Sequence, residues 1–175
     1  MSSLRNPVSP HDHSKGPAAA PVVLVEYGDY QCPYCGAAYP VVKDLLAAYA
    51  GEVRFVFRNF PLAEVHPEAV NAAFVAEFAA QHGKFWAAHD LLFENQQQLG
   101  PDLYATICER LDLPLDELRT AVASKKFIAR IRDEEEGGIR SGVNGTPTFF
   151  INGVRVDSGT EGLPAALAEA VRRSA

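Results

Sequence analysis

Two cysteines separated by two residues are the strongest sign of chemistry in this chain of 175 residues. Cys32 and Cys35 enclose the dipeptide Pro33-Tyr34, and the motif lies between a short apolar run and a segment with helical spacing. Pro33 suits the first position of a helix, where its missing N–H costs nothing. Cys32 is therefore expected at a helix N-terminus, facing outward, where unpaired amides and the positive end of the helix dipole favour a thiolate.

This spacing predicts a pair of thiols that exchanges disulfides. A thiolate at Cys32 attacks a disulfide and becomes half of a mixed disulfide, and Cys35, shielded one turn inside the helix, then displaces the substrate. A zinc site is a competing interpretation, because Cys-x-x-Cys is also half of many zinc modules. Only Cys108 and five scattered histidines remain for the other half, so we predict no metal and no cofactor. A passive structural disulfide is a further alternative, uncommon in a reducing compartment.

Two other parts of the sequence could assist the pair. Glu26 ends the apolar run before the motif, where a buried carboxylate holds its proton more tightly and could relay protons to or from Cys35. A solvent-facing strand end is the alternative. Pro147 begins a later apolar run, and a cis bond there would expose the backbone of Thr146 for pairing with an extended substrate. A plain proline at a strand start is the alternative.

Hydrophobic patterns predict the elements that position these residues. Residues 22–25 are a β-branched run typical of a buried strand, residues 33–49 have apolar side chains at helical spacing, and residues 53–58 alternate as a second strand. This order is a βαβ unit, in which the helix is the crossover that parallel pairing requires. Near the end, Asn152-Gly153 between two apolar runs is a strong hairpin signal, and residues 163–171 predict a closing helix.

Between these parts the pattern is only helical. Five segments are separated by Gly or Pro breaks, at 66–82, 84–97, 102–111, 115–123 and 127–140. Cys108 lies within one of them and is expected to be a buried small hydrophobe. His66, His82 and His89 are expected on helix surfaces or in packing rather than in catalysis.

Composition and charge exclude some function classes. The net charge of −6 and the dispersed cationic residues argue against nucleic-acid and anionic-lipid binding, which both need a clustered positive face. The acidic run at 133–136 is expected to be a solvated helix face. No apolar stretch approaches the roughly 18 to 20 residues of a membrane span, so no membrane insertion is predicted.

The N-terminus predicts neither a leader nor a packed element. Residues 1–15 contain no apolar core of the secretory kind, so a cytoplasmic location is expected. Residues 1–20 hold several prolines and polar residues, which is typical of an extended arm. His11 and His13 lie in this arm and are expected to be solvated, with a metal-binding His-x-His as the alternative.

Together, Glu26, the motif Cys32-Pro33-Tyr34-Cys35 and the motif Gly145-Thr146-Pro147-Thr148 ahead of a hairpin resemble the DsbA-like branch of the thioredoxin superfamily. The likeness covers about residues 20–173. It implies an α/β thioredoxin fold with a central mixed sheet and an inserted helical domain. The implied parts are an extended N-terminal arm at 1–20, a thioredoxin-like core at 21–65 and 143–175, and the helical domain at 66–142.

The resemblance also implies roles for individual residues. Pro147 falls where the family has its cis-proline, and Glu26 falls on the buried acid of the family. The expected substrate-binding residues are Pro33, Tyr34, Thr146 and Pro147. The stretch from Pro10 to Pro17, with the motif order after it, is also similar to thioredoxin-like domains fused to bacterial sodium/proton antiporters.

The dipeptide between the cysteines departs from DsbA, which has Pro-His. Because tyrosine cannot supply the positive charge of an imidazolium, we expect a pKa of Cys32 between those of DsbA, about 3.5, and thioredoxin, about 7. We expect the reduction potential to lie between the two as well.

The sequence thus predicts a thiol-disulfide oxidoreductase. Its expected partners are proteins that contain disulfides or thiols, with glutathione as a candidate small thiol, and an unknown redox partner that recycles the pair. The alternative is a non-catalytic redox-sensing or binding module on a thioredoxin scaffold. A zinc-stabilised domain ranks third.

Overall fold

The described residues form a five-stranded sheet whose three inner strands come from apolar runs. The computed structural model describes residues 2–175. Its strands are β1 His13–Lys15, β2 Val22–Gly28, β3 Val53–Asn59, β4 Thr148–Ile151 and β5 Val154–Arg155. They lie in the order β1-β3-β2-β4-β5, with β2 parallel to β3 and the other neighbours antiparallel. The predicted mixed sheet is confirmed, and Asn152 and Gly153 both have the positive φ that the hairpin turn requires.

Within the described part of the chain, seven α-helices accompany the sheet. They are α1 Pro33–Ala48, α2 Ala69–Gln81, α3 Phe85–Glu94, α4 Pro101–Arg110, α5 Leu115–Ala123, α6 Ile128–Arg140 and α7 Gly159–Ser174, with a 3-10 turn at Gln96–Gln98. Helix α1 is the crossover between β2 and β3, and helices α2 to α6 lie between β3 and β4 as the periodicity predicts. Within residues 2–175, no helix combines the length and the apolar composition of a membrane span.

The sheet has an apolar cluster on each face, because successive strand residues point in opposite directions. Val22 and Leu24 of β2 belong to a large cluster that also includes residues of α1, α2, α4 and α7. Val25 and Tyr27 belong to a smaller cluster on the other face. Since the large cluster joins the sheet and the helical region, the division into a core and an inserted domain stays a prediction.

The N-terminal arm differs from the prediction of an extended segment without packed elements. Residues 13–15 form strand β1, which pairs with β3. Leu4 and Val8 pack against the smaller apolar cluster. Ser3 forms an isolated bridge with Val154 at the other edge of the sheet. The arm therefore covers one face of the sheet.

A buried arginine of β3 holds the N-terminal arm against the sheet. Arg58 Nε and Nη2 donate to the Asp12 carboxylate at 2.8 and 3.0 Å. Nη1 donates to the Asn6 carbonyl at 2.9 Å and to the Tyr27 hydroxyl at 3.0 Å, and Nη2 donates to the Pro7 carbonyl at 3.2 Å. A buried charge needs such partners, and only the arm can supply most of them.

Two polar predictions for this region are wrong for the same reason. His13 is not solvated, because its Nε2 lies 2.8 Å from Glu77 Oε1. Glu134, in the acidic run, is not on a solvated face, because its carboxylate accepts from the Asn59 amide N–H at 2.8 Å. Burial and the nearby Glu77 charge raise the pKa of Glu134 to about 7. Both residues make buried polar contacts between the arm, β3, α2 and α6.

Candidate active site

Cys32 and Cys35 lie at the start of α1, directly after the loop that follows β2. Cys32 is the N-terminal cap in extended conformation and Pro33 begins the helix. Both cysteines are free thiols. Cys35 is fully buried as predicted, but Cys32 is only 3% exposed, whereas the sequence predicts an outward-facing side chain. The difference arises because the loop before β4 covers Cys32, with the Thr146 carbonyl 3.4 Å from its Sγ.

The electrostatics of Cys32 favour its thiolate. A hydrogen bond from the Cys35 thiol lowers the pKa of Cys32 to about 5, although burial acts in the opposite direction. The backbone N–H groups of Cys35 and Tyr34 at the start of α1 also lower it. The value lies between those expected for DsbA and thioredoxin, so Cys32 is ionised at neutral pH.

Cys35 has the opposite environment. Burial raises its pKa well above the usual range, and the nearby Cys32 and Glu26 raise it further. The Asp29 amide N–H donates to Cys35 Sγ at 3.5 Å and opposes these effects. Cys35 is therefore a protonated thiol beside an ionised one.

Glu26 is buried rather than solvent-facing, with 3% of its surface exposed. It lies on β2 with its side chain on the same face as Leu24, toward α1. Burial raises the pKa of Glu26 to about 8, and the charge of Cys32 contributes in the same direction. A carboxyl group with this pKa can both give and take a proton near neutral pH.

The remaining predicted site residues surround the thiols on the outside. The peptide bond between Thr146 and Pro147 is cis, and the Thr148 hydroxyl donates to the Gly145 carbonyl at 2.7 Å. Tyr34 is 75% exposed, and Pro33 beside it is exposed as well. Contact of these residues with a substrate stays a prediction.

One carboxylate that the sequence analysis does not single out lies behind the cysteines. The side chain of Asp29 is fully buried. Its Oδ1 accepts from the Gln31 amide N–H at 2.8 Å, and its Oδ2 accepts from the Leu62 amide N–H at 2.9 Å. His66 Nδ1 lies 2.7 Å from the same Oδ2. His66 is therefore a hydrogen-bonding partner of the active-site loop and not only a packing residue.

The helical region contacts the same loop at other points. Gln96 Nε2 donates to the carbonyls of Tyr30 and Cys32, both at 2.8 Å. The Glu68 amide N–H donates to Gln31 Oε1 at 2.7 Å. Gly36 lies opposite Gln96, and a Cβ there would lie 2.2 Å from Gln96 Oε1, so a larger residue would displace this side chain. The sequence could have indicated Asp29, because an aspartate before a turn is a recognisable turn signal. Its distant partners Leu62 and His66 have no such signal in the sequence.

Two other predicted residues lie apart from the thiols. Cys108 is buried in α4, as predicted, and burial raises its pKa. His89 is buried, and its Nδ1 forms a hydrogen bond with the Tyr30 hydroxyl at 3.0 Å, in agreement with a packing role. Across the described residues, no group of three or more His, Cys, Asp or Glu side chains is arranged to hold a metal ion.

The chain is similar in sequence to a known family and to parts of longer proteins. A family model described as "Thioredoxin" matches residues 8–169. The Na(+)/H(+) antiporter NhaA 3 of Salinispora tropica is 48% identical over 153 residues, which are 87% of this chain but 23% of the antiporter. This chain therefore spans about a quarter of the length of the curated relatives that it matches.

Solved structures resemble the whole chain. BdbD from Bacillus subtilis, oxidised, has a TM-score of 0.85 at 20% identity and covers 98% of both chains. A thioredoxin-like oxidoreductase from Silicibacter pomeroyi has a TM-score of 0.77 at 27% identity over 95% of both chains. Alpha-DsbA1 of Wolbachia pipientis has a TM-score of 0.78 at 19% identity and covers 98% of this chain and 96% of its own. The chain belongs to the thioredoxin family and has the DsbA-like form of its fold.

Proposed function

We propose that this chain is a thiol-disulfide oxidoreductase that works through Cys32 and Cys35. The observation that carries the proposal is the contrast between the two thiols. The pKa of Cys32 is lowered to about 5 at the start of α1, whereas burial raises the pKa of Cys35 well above the usual range. Such a pair keeps one thiolate ready to attack and one thiol in reserve.

The first step joins the substrate to Cys32. The Cys32 thiolate attacks one sulfur of a substrate disulfide, so the substrate S–S bond breaks and a mixed disulfide forms. The other substrate sulfur leaves as a thiolate and takes a proton from solvent. Cys35 is still protonated at this stage, because burial disfavours its charged form.

The second step releases the substrate. Loss of the Cys32 charge removes one of the two causes that raise the pKa of Glu26, so its carboxyl group releases its own proton to solvent more readily. The resulting carboxylate can then accept the proton of Cys35. The Cys35 thiolate then attacks Cys32 Sγ, which forms the intramolecular disulfide and releases the second substrate thiolate. The substrate gains two electrons and the cysteine pair loses two. The reverse sequence transfers a disulfide to a dithiol.

Substrates in this proposal are proteins with accessible disulfides or thiols, with glutathione as a small-thiol candidate. The proposed contacts of an extended substrate segment are exposed Tyr34 and Pro33 on one side of Cys32 and the Thr146 backbone on the other. A separate redox partner must restore the pair after each turnover. The cytoplasm is the proposed compartment if the reduction potential of the pair is about −250 mV or lower, near or below the glutathione poise.

The reduction potential and two variants test this proposal. Titration in thiol redox buffers, read by alkylation and intact mass, should give a reversible two-electron couple between about −270 and −120 mV. Cys32→Ser should abolish reduction of a model protein disulfide, and Cys35→Ser should accumulate mixed disulfides. Cys108→Ser is the matched control and should retain activity. Wild-type turnover by Cys32→Ser would rule out the proposed role of the pair.

The antiporter relatives favour a second candidate function. They contain a segment similar to this chain within a much longer transport protein. A redox-sensing module attached to such a partner would need a reversible disulfide but no turnover. Repeated reduction of a protein disulfide with a recycling reductant such as thioredoxin reductase or glutathione distinguishes the two functions, because a sensor reacts only once per chain.

A further inference from the structure

Asp29 has contacts that neither step of the proposed reaction uses. It lies between β2 and the cysteine motif, and its side chain is fully buried. A buried carboxylate is costly unless several donors satisfy it. Asp29 has three such donors, namely the amide N–H groups of Gln31 and Leu62 and the Nδ1 of His66. These contacts join the loop before Cys32 to the segment after β3.

The backbone of the same residue faces the resolving cysteine. The Asp29 N–H donates to Cys35 Sγ at 3.5 Å. This donor opposes the burial that disfavours the Cys35 thiolate. The side-chain bond from Asp29 Oδ1 to the Gln31 N–H closes a turn of the Asx type, which fixes the backbone dihedrals of the loop. The carboxylate therefore helps to hold the loop in the conformation in which the Asp29 N–H faces Cys35.

His66 fixes the other end of this arrangement. A carboxylate only accepts hydrogen bonds, so the 2.7 Å contact with Asp29 Oδ2 requires the proton on His66 Nδ1. His66 lies just before α2 and is partly exposed. The Leu62 N–H contacts the same oxygen at 2.9 Å. The two donors hold the carboxylate in one orientation.

We propose that Asp29 and His66 are positioning residues for the resolving step, in which they hold the Asp29 N–H against Cys35 Sγ. The inference rests on the proposed function. As the Cys35 proton leaves for Glu26 or solvent, negative charge builds on a buried sulfur, and a fixed N–H donor stabilises it. The first step, at Cys32, does not depend on this donor.

A purely electrostatic role for Asp29 predicts the opposite effect. Removing a negative charge from the neighbourhood of Cys35 would make its thiolate easier to form and would speed the resolving step. Loss of the positioned N–H makes the thiolate harder to form and slows the step. The Asp29→Asn variant separates the two, because it keeps the side-chain size but removes one acceptor and the charge.

The experiment follows both steps in one reaction. The reduced full chain is mixed with excess oxidised glutathione, quenched with acid after milliseconds to seconds, and analysed by intact mass. The glutathione mixed disulfide forms at Cys32 and releases one glutathione; Cys35 then attacks Cys32 Sγ and releases the second. The variants are Asp29→Asn, His66→Ala and His66→Asn, whose amide can donate from near the position of Nδ1. His82→Ala, an exposed histidine at the end of α2, is the control.

We expect Asp29→Asn and His66→Ala to slow the resolving step by about tenfold, the effect of losing one hydrogen bond to a charged group. The rate of the first step should stay within about twofold. The pH at which the resolving step reaches half its maximal rate should rise, and His66→Asn should restore most of the rate. A role in loop stability alone would not shift that pH.

Three results would overturn the inference. The first is a resolving step as fast in Asp29→Asn and His66→Ala as in the wild type, and the second is a faster one. The third is an equal loss of rate in both steps, which indicates general disruption of the loop. If Asp29→Asn does not fold, the comparison of His66→Ala with His66→Asn decides. Absence of any disulfide formation in the wild type would instead reject the proposed function itself.

Discussion

Only two residues separate Cys32 from Cys35, yet the fold gives their sulfurs opposite properties. Cys32 is the N-terminal cap of α1 and accepts from N–H groups of the first turn, whereas Cys35 lies one turn inside the helix and is fully buried. The hydrogen bond between the two thiols strengthens the contrast, because it stabilises a thiolate on Cys32 and a proton on Cys35. The pKa of each thiol is therefore set largely by where its cysteine lies relative to the N-terminus of α1.

The rate of Cys32 alkylation should report this environment. The pKa of Cys32 is about 5, so reaction of the reduced chain with iodoacetamide should be half-maximal near that pH. Intact mass with peptide mapping measures the rate at each pH. Cys35→Ala removes the main cause of the low pKa and should move the half-point toward the usual range. A wild-type half-point near 8 or 9 would contradict the assigned environment.

Glu26 should make stability fall as the pH rises. Its folded pKa of about 8 exceeds the ordinary value of 4.5, so the folded state keeps a proton that the unfolded state loses between these values. The resulting cost begins above pH 4.5 and is complete above pH 8. In the reduced protein, Glu26→Gln should remove it, with a gain over the wild type on the order of a few kcal/mol at pH 8 relative to pH 4.

Urea unfolding at several pH values measures this difference. The change with pH is the informative quantity, because a buried glutamine adds a hydrogen-bonding cost that does not depend on pH. A difference between Glu26→Gln and the wild type that is constant from pH 4 to pH 8 would show that Glu26 does not hold a raised pKa.

The sequence predicts the role of a site residue where that role depends on neighbours in the chain. The Cys-x-x-Cys spacing, Pro33 and the preceding strand are neighbours in the chain, so the place of Cys32 at a helix start follows from them. Asp29 has its partner His66 at a separation of 37 residues, which no local pattern reveals. The same holds for Gln96, 64 residues from Cys32. Contacts between distant segments therefore position the active-site loop, and the sequence alone does not predict them.

At the scale of elements, periodic helices were predictable and the arm was not. The helical segments between β3 and β4 follow the apolar period closely, and Gly83 has the positive φ that ends a helix. Strand β1 has three residues and no apolar pattern. Directly before it, Asp12 pairs with Arg58, a residue 46 positions further along the chain. The position of this strand therefore has no hydrophobic signal in the sequence, and the contact beside it involves residues far apart in the chain.

Removal of the Arg58 side chain should therefore destabilise the arm and the fold together. Arg58→Met leaves the largely buried Asp12 carboxylate without its partner, which should cost about 3 to 5 kcal/mol in the free energy of unfolding. Urea unfolding gives the total, and hydrogen exchange should show faster exchange in residues 2–15.

A surface pair provides the matched control for this variant. Arg119 pairs with Asp116 at 3.2 Å on the exposed face of α5. Arg119→Met should cost less than about 1 kcal/mol. Equal effects of Arg58→Met and Arg119→Met would mean that the arm is not held by the buried ion pair.

At the scale of the whole molecule, the redox state of one pair should change the stability of the entire fold. In the reduced protein the pKa of Cys32 is about 5, below the ordinary value of 9.0. A lowered pKa contributes stability that is complete above the ordinary value, is still present at pH 7 and is lost as the pH falls through about 5. Oxidation removes the thiolate and with it this contribution. The disulfide closes only a very short loop, so it constrains the unfolded chain little in return.

The reduced protein should therefore melt at a higher temperature than the oxidised protein at pH 7, and the gap should narrow toward pH 5. Thermal unfolding with and without a thiol reductant measures the gap, and Cys32→Ser should abolish its dependence on reductant. By a thermodynamic cycle, a more stable reduced form means a disulfide that is more oxidising than the same motif in an unfolded chain. An oxidised form that melts higher at pH 7 would instead indicate a disulfide that stabilises the fold and a more reducing pair, and it would contradict the stabilisation assigned to the Cys32 thiolate.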